Sequence, residues 1–501
     1  MTSNLQETAE PSGLKRELGL IGLAATGICS MLGASVYVVP FMIQRNVPGI
    51  GGWVLPAFLL AAIPALLAAM AYAALSSAMP RAGGSYLYAS RALSPYLGFV
   101  ASFSQWFGLS IVIGVISYVI VAPFLSDVAV AMEWSAAAEF LRQGPVRVGL
   151  ALALLWTFVG VNLKGARAYE SALVPMMVLM FALGGIVIVS GFAFDPSDFA
   201  AALLQRDGAE LPEPAASPFD LSTFLAAAAV LFASFIGFDS IAQAGGEAKR
   251  PSRNLPLAIG LAVFTVGAYY FLFTAAVYHT VPWTYVAEQA AERDITAPGL
   301  FAYLLPKPWA VAIVAGAAIA LINDLPAMLL SVSRLMFAWA KDGIFPRWIA
   351  HVHNKTGVPR RAVILSGLMA SVGILGSHFA GDFFLGIDIM VTSMLVNFLL
   401  MCLAVIALPI RNPELARRVT VLRNKGARQV LATFGIVMLA IFLVIHIHKD
   451  LTTEVEAWYF HSTPVWMIVM SLATVIYGFE MRKLRRSGVD VDEMFAKLPP
   501  E

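Results

Sequence analysis

Two aspartates stand inside apolar stretches long enough to cross a bilayer. Asp239 is the single ionisable residue of residues 221–246, LSTFLAAAAVLFASFIGFDSIAQAGG, and Asp324 lies two residues before Pro326 in the apolar run that begins near Pro308. A carboxylate at membrane depth costs roughly 2.5–3.5 kcal/mol on insertion scales, so it is retained with a partner, a water-filled cavity or a task. The chemistry open to it there is to neutralise a cation or to take up and release a proton. Beside Asp239, Ser234 offers a hydroxyl, and Ile236 and Gly237 weaken the helix. A helix broken at that depth frees main-chain N–H and C=O groups, which are tolerated only where they line a cavity. A continuous helix with a packing glycine and a structurally bonded Asp239 is the plain alternative.

The chain around these residues has the composition of a polytopic membrane protein. Of its 501 residues 59% are hydrophobic and 13% charged, against about 25% charged in soluble domains. Net charge is +2, and the basic residues are scattered through short segments, not gathered on one face, so nothing points to nucleic acid. Cys29 and Cys402 sit within apolar runs as small hydrophobes and imply no disulfide framework. The first 17 residues are polar, and no cleaved leader is expected from them.

Apolar runs of about 20 residues predict twelve spans, beginning near Leu18, Gly51, Pro95, Val146, Tyr169, Leu221, Asn254, Pro308, Ala362, Phe384, Gln429 and Pro464. With both ends in the cytoplasm, 26 of the 33 Lys and Arg residues fall on the cytoplasmic side, the asymmetry that sets orientation. The expected address is the cell membrane, the inner one of a bacterium.

Span 1 has Gly27, Ser30, Gly33 and Ser35 at its middle and no charge. Small residues also serve tight helix packing, but span 6 follows span 1 by five. Two interrupted helices at matching places in two halves are the sequence pointer to inverted repeats around a midplane site. The fold class expected is therefore an all-α integral membrane protein with twelve transmembrane helices. A 5+5 inverted repeat would break helices 1 and 6, and two peripheral helices would follow. The segments are a tail at 1–17, repeats at 18–193 and 221–410, an extracytoplasmic loop at 194–220, helices 11 and 12 with their basic loop at 411–481, and a tail at 482–501. Tyr86 and Tyr88, in an amphipathic turn after span 2, are expected at headgroup level. His446 and His448 are read as an exposed polar rim, not a metal site.

Five short segments carry a resemblance. PRAGGSYLYASR precedes span 3, FIGFD with GGEAKRPSRNLP surrounds the end of span 6, and AKDGIFP followed by KTGVP comes after span 8. In this order the motifs resemble those of the amino acid/polyamine/organocation superfamily, in the branch of bacterial amino-acid permeases, from span 1 to span 9. The resemblance implies that the zwitterionic end of an amino acid sits between the unwound parts of spans 1 and 6. Backbone N–H groups of Gly33, Ala34 and Ser35 would hold the carboxylate, helped by the Ser30 or Ser35 hydroxyl. Carbonyls of Met31, Ala233 and Ile236 would hold the ammonium, with Gly237 providing the break and Phe232 a lid. Spans 3, 8 and 10 would complete a side-chain pocket.

Two departures stand out. Relatives often have a glycine where this chain has Ser35, which implies a smaller or differently shaped substrate. Some proton-coupled relatives have a lysine where span 5 here has Met180, so lysine-based coupling is not expected. Asp239 aligns with an acidic position of the family and stays open between proton coupling, a structural hydrogen bond and substrate contact. Asp324 is a second coupling candidate, facing the gap in span 1.

The function expected is a secondary active transporter of an amino acid, proton-coupled or exchanging. A polyamine, ethanolamine or other organic cation is the alternative cargo, and a channel or sensor a remote one. No enzyme activity and no cofactor are expected, the coupling ion being a proton or sodium. The partners are the small solute and the lipid bilayer, with the protein a monomer or homodimer.

Overall fold

The computed structural model describes residues 13–33, 35–380, 383–454 and 457–500. Its secondary structure is helical, and twelve helices have the length and hydropathy to cross a membrane. They are Leu20–Asn46, Gly51–Ala78, Pro95–Val119, Gly144–Lys164, Ala166–Ala193, Leu221–Glu247, Pro251–Thr280, Lys307–Lys341, Arg360–Phe379, Gly386–Arg411, Lys425–Thr452 and Ser462–Arg486, here spans 1 to 12. The starts agree with the hydropathy reading to within a few residues, because a run of about 20 apolar residues has no other way to satisfy its backbone in lipid.

The neighbour relations among spans 1 to 10 repeat with an offset of five. Span 5 packs on span 8 as span 10 packs on span 3. Span 9 packs on span 3 as span 4 does on span 8, and span 1 lies on span 7 as span 6 lies on span 2. Spans 2 and 7, 3 and 8, and 4 and 9 contact each other directly. A two-fold relation between spans 1–5 and 6–10 requires this exchange of partners. Spans 11 and 12 lie outside it, against spans 2, 3, 6 and 10.

Spans 1 and 6 are the two that break. Span 1 is helical over Leu20–Met31 and again over Ser35–Asn46, and it leaves the helix at Leu32, with ψ 76°. Span 6 is helical over Leu221–Leu231, tightens to a 3₁₀ turn over Phe232–Phe235, and becomes extended at Ile236 (ψ 132°). It resumes as a short helix, Asp239–Gln243, and a 3₁₀ turn, Ala244–Glu247. Gly237 has φ +135°, where a side chain would be strained.

The stretch after span 2 differs from its expected interfacial position. Gly84–Ala92 is a helix buried throughout, with Tyr86 and Tyr88 both 0% exposed. The reason is close approach: Gly83 takes φ +82°, and a Cβ on Gly84 would lie 2.8 Å from the Ala242 carbonyl oxygen. Only a glycine pair lets this helix rest on the second half of span 6. Tyr86 then donates to Asp342 Oδ2 at 2.7 Å, and the guanidinium of Arg91 pairs with the same carboxylate. A second buried pair, Arg334 with Glu247, is bidentate at 2.6 and 3.2 Å. The C-terminal segment closes over Arg91: its Nε donates to the Lys497 carbonyl at 3.2 Å, and its guanidinium carbon lies 4.7 Å from the centre of the Phe495 ring. His446 is another correction, since it is buried, 3.3 Å from the Asp388 carbonyl, while its neighbour on the same span, His448, is exposed.

Candidate functional site

The two breaks face each other. A Cβ added at Gly237 would strike the carbonyl of Ser30 and come within 2.8 Å of the Met31 nitrogen, so glycine here is what lets the two chains touch. Ser30 Oγ and Ser240 Oγ are 3.0 Å apart, a hydrogen bond from one break to the other. Ser30, Met31 and Ile236 are each 3% exposed, so the paired gaps are shut off from solvent. Ala34 lies outside the described residues. Of the carbonyls assigned to an ammonium, that of Ala233 accepts the Ile236 N–H at 3.2 Å and keeps one lone pair. The Met31 carbonyl has the Tyr270 hydroxyl at 3.5 Å. Ser35 does not leave its side chain loose in the gap: its Oγ is 2.5 Å from the same Tyr270 hydroxyl.

Both carboxylates are held at the breaks. Asp239 is the first residue of the short helix after the span 6 gap and is 0% exposed. Its Oδ2 accepts from Gln105 Nε2 of span 3. Gln105 Oε1 in turn accepts from Asn397 Nδ2 of span 10 at 3.0 Å, and Asn397 reaches the Tyr72 hydroxyl at 2.9 Å. Tyr72 and Gln243 meet at Ser85 Oγ, at 2.6 and 2.7 Å. A chain of hydrogen bonds therefore ties spans 2, 3, 6 and 10 to the helix after span 2. Asp324 faces the span 1 gap, where a Cβ on Gly33 would strike its Oδ2. Its neighbour Asn323 donates to Cys29 Sγ at 2.9 Å, and Asn162 of span 4 donates to the Pro326 carbonyl at 3.3 Å, fixing this part of span 8. Among the described residues the buried Oδ1 atoms of Asp239 and of Asp324 have no hydrogen-bond partner, and neither side chain has a cationic one. A buried unpaired carboxylate is costly, so each oxygen is an address for a proton or a cation.

The sequence profile described as amino acid permease matches residues 18–472, which includes both breaks and both aspartates. The chain belongs to the amino acid permease family. Among its relatives, human cationic amino acid transporter 4 is 26% identical over 392 residues, covering 73% of this chain and 56% of the relative. The vacuolar cationic amino acid transporter 2 of Arabidopsis thaliana is 29% identical over 372 residues, 72% of this chain and 55% of the relative. An uncharacterized transporter of Mycobacterium tuberculosis is 28% identical over 369 residues, 72% of this chain and 74% of the relative. The chain spans just over half the length of the cationic amino acid transporters it matches.

In this member of the permease family the three phenylalanines around the span 6 break have separate surroundings. Phe232, the expected lid, is 0% exposed and packs between Phe398 of span 10 and Phe442 of span 11, with centroids 6.2 and 5.9 Å away. Phe238 stacks on Phe398 at 4.9 Å, and it is Phe235 that reaches the ring of Tyr270, at 6.3 Å. Gln105, Asn397 and Tyr270 were not singled out from the sequence. The first two had a signal, being lone amides in apolar runs, where polar side chains seek partners. Tyr270, within the Tyr269–Tyr270 pair of span 7, had none.

Proposed function

We propose that the chain is a secondary active transporter that moves an amino acid across a cell membrane by alternating access, with protons or a counter-substrate as the drive. The observation that carries this reading is the pair of opposed main-chain gaps at Leu32–Gly33 and Ile236–Gly237, buried against one another. Half-helix starts present N–H groups to a carboxylate, and the Met31 and Ile236 carbonyls offer acceptors to an ammonium. Asp239 and Asp324 are the coupling residues in this reading. The basic segments face the cytoplasm, both ends with them, and the membrane is the inner one of a bacterium. No enzyme activity and no bound cofactor belong to it.

One observation favours a basic amino acid or other organic amine as cargo. Asp324 presents a buried oxygen that has no partner among the described residues, at the span 1 gap, and several relatives carry the name cationic amino acid transporter.

The test is uptake of labelled L-alanine, L-leucine and L-lysine into proteoliposomes with an imposed proton gradient or with the same amino acid trapped inside. Accumulation under either condition is the expected result, and the absence of uptake across a broad amino acid and amine panel overturns the proposal. Asp239→Asn should keep exchange and lose the dependence on the proton gradient. An unchanged gradient dependence removes Asp239 from the coupling role.

A further inference from the structure

Tyr270 is 0% exposed on span 7, and its hydroxyl stands at the span 1 break. It is 2.5 Å from Ser35 Oγ, the first residue of the second half-helix, and 3.5 Å from the carbonyl of Met31, the last residue of the first. One arrangement of protons satisfies both contacts: Ser35 donates to Tyr270, and Tyr270 donates to the Met31 carbonyl. The ring is held by Phe58 of span 2 at 5.6 Å and by Phe235 of the span 6 turn at 6.3 Å. One side chain thus touches both lips of the first gap and the edge of the second.

A zwitterion entering this gap needs an acceptor for its ammonium and a donor for its carboxylate. The Met31 carbonyl and the Ser35 hydroxyl are such a pair, and the tyrosine hydroxyl, acceptor and donor in one group, answers both. We infer that Tyr270 is an internal stand-in for the substrate's zwitterionic end, which satisfies the span 1 break through Ser35 and the Met31 carbonyl and is displaced from that carbonyl by the substrate's ammonium. This rests on the proposed reading of the two gaps as the binding site. It makes Tyr270 a positioning and specificity residue: a solute without the α-ammonium leaves Tyr270 in place, and a solute with it must break the tyrosine's bond.

The consequence is measurable as a ratio. Three probe pairs differ only in the α-amino group: L-alanine with propionate, L-leucine with 4-methylvalerate, and L-lysine with 6-aminohexanoate. Their affinities are compared in the purified full-length protein and in Tyr270→Phe, which keeps the ring and removes the hydroxyl. The preference for the amino acid over its partner should widen by about 3- to 10-fold in Tyr270→Phe, the value of one net hydrogen bond. A structural role alone would lower the melting temperature and weaken both members of a pair equally, so an unchanged or narrowed ratio overturns the inference. Binding by wild type with an unchanged ratio leaves the transporter reading standing, whereas no binding of any probe by wild type overturns both. A second measurement does not depend on the variant folding: 3-fluorotyrosine placed at position 270 should shift its ¹⁹F resonance with the amino acid and not with its des-amino partner. The same response to both, or to neither while the amino acid binds, overturns it.

Discussion

At Gly237 the backbone turns through φ +135°, and the space a side chain would need is filled by the Ser30 carbonyl. Two separate penalties meet at one atom: a backbone conformation that L residues rarely adopt, costing about 1–3 kcal/mol, and a clash with main chain that cannot rotate away. Gly237→Ala should therefore push spans 1 and 6 apart and abolish the increase in apparent melting temperature that the best-binding amino acid gives to wild type. Gly260→Ala is the control, because open space surrounds that position, and a retained ligand-induced shift in Gly237→Ala would show that the close approach is not needed. Asp239 illustrates the same scale differently. Among the described residues the side chain that bonds it is a neutral amide, Gln105, which orients the carboxylate without compensating its charge.

At the scale of elements, the break in span 6 requires two short helices to begin and end in defined places. The first half starts on Asp220, whose side chain accepts from the Thr223 N–H at 2.7 Å and from the Ser222 hydroxyl at 2.5 Å. The Ser222 hydroxyl, with the Thr223 N–H after it, pulls this carboxyl down to about 2. A carboxyl lowered on folding stabilises the fold above its ordinary range, near pH 4, and loses that contribution as pH falls towards 2. Asp220→Ala should therefore lower the apparent melting temperature at pH 6 by a small amount, as expected for an exposed cap. The gap between wild type and variant should close by about pH 2–3. A gap that is constant with pH would mean that the charged cap is not what starts span 6. Farther along, the bond between Ser30 and Ser240 is an element-level latch: it joins the end of one half-helix to the start of another.

For the whole molecule, the partner exchange between spans 1–5 and 6–10 places both breaks together at the centre, and two buried ion pairs close one face of the bundle. Arg334 and Glu247 are each 1% exposed at their side chains, and Arg91 and Asp342 are 0% and 5%. Such pairs are expensive to assemble, and removing one partner strands a charge, at about 3–5 kcal/mol. Glu247→Gln and Arg334→Ala should each lower stability by that order in thermal unfolding of the detergent-solubilised protein. The exchanged double variant, Glu247→Arg with Arg334→Glu, should recover part of the loss. Additive losses in the double variant would show that the pair is not an interacting unit. The C-terminal segment belongs to this face, since Phe495 and the Lys497 carbonyl complete the enclosure of Arg91.

Hydropathy by itself determined that the chain crosses a membrane twelve times, because lipid leaves an apolar run of this length one backbone solution. The positions of Gly33, Gly237 and Asp239 were enough to locate both breaks and the carboxylate beside one of them. Neither fact depends on distant neighbours. Tertiary structure decided the rest. Tyr86 and Tyr88 read as an interfacial turn, yet they are buried, because Gly83 and Gly84 let their helix settle on span 6 and Asp342, just after span 8, meets Tyr86 and Arg91. The ring contacts of Phe232 come from spans 10 and 11, far along the chain. Gln105, Asn397 and Tyr270 acquire their meaning only from partners more than a hundred residues away. Such convergence is set by how whole helices pack, and nothing in the local order of residues encodes which side chains will share a gap.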